Sequence, residues 1–110
     1  MKLWKCSVCG FVYEGSEAPD SCPKCGAAKE KFSEMTSEDT KKIYSSDRTN
    51  DIHSEIISLC GKIIKLSEEG IKINLDPGCV SDFSKAKDSA WTSKQRSKAE
   101  LSIHMKKGKW

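Results

Sequence analysis

The chain is short of the residues that build a large core or a conventional active site. Of its 110 residues, 7% are aromatic and 36% hydrophobic, against 32% charged. No apolar run is long enough to span a bilayer and no signal-peptide pattern is present, which points to a soluble cytoplasmic protein without a membrane partner. There are three prolines and no Gly-rich phosphate loop, internal repeat or low-complexity block. Histidine is scarce, with only His53 and His104. No Ser-His-Asp or Cys-His set can be assembled around them, so hydrolytic and thiol-nucleophile chemistry lose their usual machinery.

What the chain does have is cysteine, six in all. Four of them form two pairs, Cys6-Ser-Val-Cys9-Gly10 and Cys22-Pro-Lys-Cys25-Gly26, with twelve residues between Cys9 and Cys22. Each Cys-x-x-Cys pair offers two sulfurs from one tight turn, and two such turns complete a tetrahedron. A four-sulfur tetrahedral site selects zinc or iron. The glycine after each pair permits positive φ, so the turn can curl its backbone N–H groups toward the sulfurs. In a reducing compartment paired cysteines favour metal over disulfide. Cys6, Cys9, Cys22 and Cys25 are therefore the candidate ligands. Cys60 and Cys79 lie outside the set, at different levels of the expected helices, and are read as small hydrophobes rather than as a disulfide.

The formal net charge is +3. Four thiolates and one bound cation would make the site net negative and bring the whole chain close to neutrality, which argues against a general nucleic-acid binder. Residues 85–110 nevertheless carry seven Lys and one Arg against Asp88 and Glu100, a basic helix face that suits solvent or an acidic partner.

Two regions follow from these patterns, a metal-binding domain at 1–35 and a helical domain at 36–110. About 35 residues cannot bury enough apolar surface to fold alone, and a structural metal supplies roughly 10–16 kcal/mol in small peptides. Leu3-Trp4-Lys5 and Phe11-Val12-Tyr13 read as short strands of a hairpin, with Trp4 and Phe32 as core packing. The fold class is thus a small α+β protein.

The order Trp4-x-Cys6-x-x-Cys9-Gly10-x-Val12-x-Glu14-Gly15, then Ala18-Pro19-x-x-Cys22-Pro23-x-Cys25-Gly26-Ala27-x-Lys29-x-x-Phe32, resembles the rubredoxin-like module of rubrerythrins. The resemblance covers about residues 3–34. It implies one iron ion held by Cys6, Cys9, Cys22 and Cys25, cycling between ferrous and ferric states. It further implies electron transfer to a redox partner protein, often for peroxide or oxygen removal. Two departures limit it. In common rubrerythrins the module follows a ferritin-like bundle, whereas here it comes first. The bundle's di-iron site uses Glu-x-x-His, and neither histidine here has a Glu three residues before it, Glu100 standing four before His104. The peroxidase centre is not carried over, and an electron carrier is favoured over a catalyst. The alternative is a structural zinc ribbon in an adaptor that binds a protein or nucleic acid through its helices.

In the second region, Thr36-Ser37-Glu38-Asp39 opens a helix over about 37–46. Ser45-Ser46-Asp47 and Thr49-Asn50-Asp51 read as turns or new caps. A second helix ends at Gly70, its core stripe Ile52, Ile56, Leu59, Ile63 and Leu66 widened by Ile57, Cys60 and Ile64. Ile71–Leu75 reads either as helix or as extended chain. A last helix over about 79–106 has the stripe Cys79, Phe83, Ala86, Ala90, Lys94, Ser97, Leu101 and His104 or Met105. The pattern predicts an antiparallel helical hairpin or a three-helix domain, the excess apolar surface being covered within the chain or in a homodimer. Asp51, His53, Glu55, Glu100 and His104 are candidates for a second metal, but the rise per residue puts Lys94, not His104, level with His53.

Overall fold

The computed structural model describes residues 1–110, which divide into two compact units, Met1–Tyr44 and Ser45–Trp110. The first contains strands β1 (Lys2–Cys6), β2 (Val12–Gly15) and β3 (Phe32–Glu34) in one antiparallel sheet of order β2-β1-β3. Trp4 pairs with Tyr13 on one side and Glu34 on the other. The two sequence-read strands are present, and β3 is added by a turn of 3-10 helix, Lys29–Lys31, that delivers Phe32 to β1. Cys6, Ala18, Cys22 and Phe32 form the buried cluster, with Trp4, Phe11, Tyr13 and Ala27 packed against it. Half of this small core is cysteine. The Trp4 indole N–H donates to the Gly15 carbonyl at 3.2 Å, and the Tyr44 hydroxyl donates to the Glu14 carboxylate, which raises the Tyr44 pKa.

Two helices follow, α1 (Ser37–Ile73) and α2 (Pro77–Lys106). Thr36 caps α1 as expected, its Oγ1 accepting the Asp39 N–H at 3.1 Å. The break expected near 45–51 does not occur. The polar residues that suggested it are consumed by tertiary hydrogen bonds instead. Ser46 Oγ and Asn50 Nδ2 each donate to the Lys109 carbonyl at 2.7 Å. Asn50 Oδ1 lies 2.6 Å from His104 Nδ1. The domain is therefore a two-helix hairpin, not three helices.

Gly70 does not end α1 either. It is buried in the helix because a Cβ there would stand 2.4 Å from the Phe83 ring. The helix continues through Ile73 and closes at Asn74, whose φ is +53°. Asp76 then caps α2, its Oδ1 accepting the Cys79 N–H at 2.7 Å, and Pro77 fills the first helical turn, where it needs no N–H partner. At the far end Gly108 takes φ +72° and the Lys109 N–H reaches the His104 carbonyl at 2.8 Å, a Schellman closure.

The face of α1 turned to α2 also differs from expectation. Residues 46, 50, 53, 57, 60, 64, 67 and 71 line it and are buried or half-buried. They recur at alternating steps of four and three, the spacing of a coiled-coil seam. On α2 the matching seam is 80, 83, 87, 90, 94, 97, 101 and 104. Ile57, Cys60 and Ile64, read as the margin of the core stripe, belong to the contact. Ile52, Ile56, Leu59, Ile63 and Leu66, read as its centre, are exposed. The contact includes buried Ser46, Asn50, Ser67, Ser97 and His104. No buried side-chain nitrogen or oxygen lacks a hydrogen-bond partner, so this polar seam avoids the desolvation penalty of unpaired groups.

Gly70 and Gly61 provide an internal comparison. Gly70→Ala drives a methyl into the Phe83 ring, whereas nothing lies within 4 Å of a Cβ at Gly61. Urea unfolding followed by helical circular dichroism should show Gly70→Ala destabilised by about 1–3 kcal/mol. Gly61→Ala should be stabilised by about 0.5–1 kcal/mol.

Candidate metal centre

Each knuckle is built the same way. In the first, Gly10 N–H donates to the Cys6 carbonyl at 2.9 Å and Cys6 N–H to the Phe11 carbonyl at 2.9 Å. In the second, Gly26 N–H donates to the Cys22 carbonyl at 2.8 Å and Cys22 N–H to the Ala27 carbonyl at 2.8 Å. Gly10 and Gly26 close the turns with φ of +81° and +77°, a conformation in which a Cβ would be strained. The first knuckle hangs between β1 and β2. The second is held by an isolated bridge between Ser21 and Ala28 and by the Lys29–Glu17 ion pair at 3.1 Å. Ser7 N–H to the Lys31 carbonyl, at 2.9 Å, ties the first knuckle to the chain leaving the second.

The four sulfurs of Cys6, Cys9, Cys22 and Cys25 all lie within 4.8 Å of one another. Cys6 Sγ to Cys25 Sγ is 3.8 Å and Cys9 Sγ to Cys22 Sγ is 3.6 Å. A tetrahedron with metal–sulfur bonds of ~2.3 Å has edges of about 3.8 Å, whereas a disulfide needs ~2.05 Å. All four cysteines are free. The donor set and its spacing fit one tetrahedral ion. The first cysteine of each pair is buried and the second is exposed, so the centre has an inner edge in the core and an outer edge at the surface.

The thiols are electrostatically graded by the turns that carry them. Cys6 is lowered from its ordinary value by the Cys9 N–H, helped by the Val8 N–H, against the opposing effect of burial. Burial raises Cys22, but the N–H groups of Cys25 and Lys24 and the thiols of Cys9 and Cys25 outweigh it and bring it down to about 7. At Cys9 the Phe11 N–H favours the thiolate. Burial and the hydrogen bonds Cys9 gives to the other three sulfurs win, and it is pushed up to about 12. Without metal, these contacts favour negative charge on Cys22 and Cys6 and a proton on Cys9. A cation takes over that proton's role for all four sulfurs.

The comparisons with known proteins agree with this geometry. The family described as "Rubrerythrin, rubredoxin-like domain" matches residues 4–33. Rubredoxin-2 of Chlorobaculum tepidum is 38% identical over 52 residues, which take in 32% of this chain and 100% of that protein. Through its N-terminal module the chain belongs to the rubredoxin family. The 52 aligned positions draw on so small a share of this chain that the relative must carry extra residues within the matched span. Reverse rubrerythrin-1 of Clostridium acetobutylicum is 55% identical over 38 residues, 34% of this chain and 21% of that protein. A rubrerythrin of Clostridium perfringens is 65% identical over 23 residues, 21% of this chain and 12% of that protein. The chain thus spans about a fifth or less of these two rubrerythrin relatives.

The other candidate ligands sit in the helical hairpin. Contrary to the sequence reading, His53 and His104 are neighbours, with ring centroids 6.2 Å apart in a T-shaped arrangement. Ser97, not Lys94, stands beside His53, with its Oγ 3.0 Å from Nδ1. Lys94 lies 5.9 Å over the Trp91 ring. The register changed because α1 runs on to Ile73, which moves His53 about one turn further from the loop. Side chains lean toward their own helix N-terminus, so in an antiparallel pair the two rings lean toward each other and close the remaining offset. Asn50 Nδ2 must face the Lys109 carbonyl, which leaves Oδ1 to accept the His104 Nδ1–H. His104 Nε2 is 3.3 Å from Glu100 Oε1. These groups latch the end of α2 to α1. Cys60 is buried in the helix contact and Cys79 is half-buried at the start of α2. Asp76 beside it raises the Cys79 thiol, the opposite of activation.

The grading of the thiols can be read directly. In demetallated protein caught before the knuckles open, with the Gly10 and Gly26 amides still protected from exchange, raising the pH from about 6 to about 8 should form one thiolate of the cluster, seen as thiolate absorbance in the ultraviolet. Cys22→Ser should remove that early step. A cluster that first ionises at the ordinary thiol value would contradict the assigned N–H contacts.

Proposed function

We propose that the protein is a one-electron carrier whose centre is a single iron ion bound by Cys6, Cys9, Cys22 and Cys25. The observation that carries this reading is the four-sulfur cluster at tetrahedral spacing inside a rubredoxin-family module. Iron in such a ligand set supplies a reversible ferrous–ferric couple and needs no open coordination position.

The chain's own residues account for the rest of the task. Thiolate ligands from two short turns change little in geometry when one electron is added, because the turns are closed by their own backbone hydrogen bonds. N–H groups of Val8, Cys9, Phe11, Lys24 and Cys25 point at sulfurs, and such contacts stabilise the reduced, more negative centre. Phe32, Ala18 and the inner cysteines keep water from one side. On the other side Cys9 and Cys25 reach the surface, and Val8 beside them is 62% exposed. That outer edge is the docking point proposed for a redox partner protein. With a partner that reduces peroxide or oxygen, the same carrier would serve oxidative-stress chemistry.

Protein purified from its native host should contain one iron per chain. It should show a ferric-thiolate visible spectrum that dithionite bleaches and air restores, and Cys9→Ala should lose both. One zinc per chain with no visible absorption would refute the electron carrier and leave a structural ribbon.

A further inference from the structure

The exposed face of α1 is more apolar than the face it buries. Ile52, Ile56, Leu59, Ile63 and Leu66 are between 37% and 66% exposed. They follow one another at steps of four, three, four and three, a second coiled-coil seam beside the one that α2 occupies. Leu101 is the only large aliphatic side chain fully buried between the helices; Ile57, Ile64 and Ile71 are half-buried there, and the other fully buried positions are Ser, Asn, Cys, Gly, Ala and His. A hairpin with so shallow an inner contact and so regular an outer stripe presents that stripe as an interface.

The charges beside the stripe say what covers it. Arg48, Glu55, Lys62 and Glu69 recur every seven residues along its edge, with Asp51 and Lys65 in the next row. All six are exposed, and none is spent on an ion pair within the chain. They form three opposite-charge pairs about one point: Glu55 with Lys62, Asp51 with Lys65, and Arg48 with Glu69. Each pair straddles residues 58–59. The apolar stripe is symmetric about nearly the same place, with Ile52 matching Leu66, Ile56 matching Ile63, and Leu59 matching itself. A segment whose apolar residues are mirrored and whose charges are reversed about one midpoint is complementary to its own antiparallel copy. A parallel copy would instead turn Glu55 and Lys62 toward the other flank of the stripe, His53, Cys60 and Ser67, which carries no opposite charge and is already covered by α2.

We propose that the helical hairpin pairs with a second copy of this chain, α1 against α1 in antiparallel sense. The two-fold axis passes beside Leu59, and the two hairpins form a four-helix assembly. The interface is isologous, so each charge pair occurs twice. Glu55 of one protomer meets Lys62 of its partner, and the reverse. This association is independent of what metal the N-terminal module holds.

The test is the solution mass of the full, metal-loaded chain by sedimentation equilibrium at micromolar concentration. The expected mass is twice 12.2 kDa. Leu59→Glu places two carboxylates at the axis and should give a monomer. Glu55→Lys alone and Lys62→Glu alone should each weaken the dimer by roughly tenfold. The double variant carrying both should return to near wild-type affinity. Residues 55 and 62 are seven apart on one helix and do not pair within a protomer, so rescue reports on contact between protomers and does not depend on how Leu59→Glu folds. A wild-type monomer overturns the proposal, leaving the stripe to a different protein. A dimer without rescue in the double variant overturns the antiparallel pairing.

Discussion

Four cysteine sulfurs gathered within 4.8 Å are the constraint on which the N-terminal unit depends. Thiols in such proximity cannot all ionise, and the lowering of Cys6 and Cys22 against the raising of Cys9 is the signature of that frustration. One cation at the centre removes it. The rest of the unit is arranged to bring the two turns together: β1 and β2 present the first, the bridge between Ser21 and Ala28 shapes the second, and Phe32 on β3 closes the core beside Cys6 and Cys22. A buried cluster of two cysteines, one alanine and one phenylalanine cannot stabilise three short strands by hydrophobic burial alone. An ion held by the four sulfurs would therefore serve the fold as well as the proposed electron transfer.

The helical hairpin follows a different logic. Its inner contact is specified by polar complementarity, with Asn50 donating to the Lys109 carbonyl and accepting from His104, while His53 meets Ser97. Such contacts set register sharply and add little net stability, since each replaces hydrogen bonds to water. Gly70 against Phe83 adds a steric key to the same register. The aliphatic residues that would contribute most to burial lie on the opposite side of the choice, along the outer stripe of α1. One unit is thus organised by an ion and the other by hydrogen bonds and shape.

The metal module was legible because its signal is chemical. Two Cys-x-x-Cys-Gly pairs state ligand type, number and turn geometry at once, and the positive φ of Gly10 and Gly26 follows from the same pattern. The third strand was less visible, since three residues around Phe32 carry no periodicity. In the helical half, helix existence and hairpin direction were readable, but the limits of the helices and the face they bury were not. Ser46 and Asn50 are good capping residues in isolation, and their partners lie some sixty positions away at Lys109 and His104. Gly70 is a plausible terminator until Phe83 is placed against it. Two adjacent seams of the same spacing share α1, and periodicity alone assigns the core to the more hydrophobic one. The histidine pairing was missed through the same error in helix length, which propagated into the level of His53.

Amide hydrogen exchange on the full chain, before and after removal of metal by a chelator, tests the dependence on the four sulfurs most directly. The amides of Gly10 and Gly26 and the ladder from Trp4 to Tyr13 and Glu34 should lose protection when metal leaves, while residues 57–101 of the hairpin keep theirs. Knuckle amides that stay equally protected in the metal-free chain would show that the sheet and its small core hold the sulfurs in place unaided, and would contradict the account.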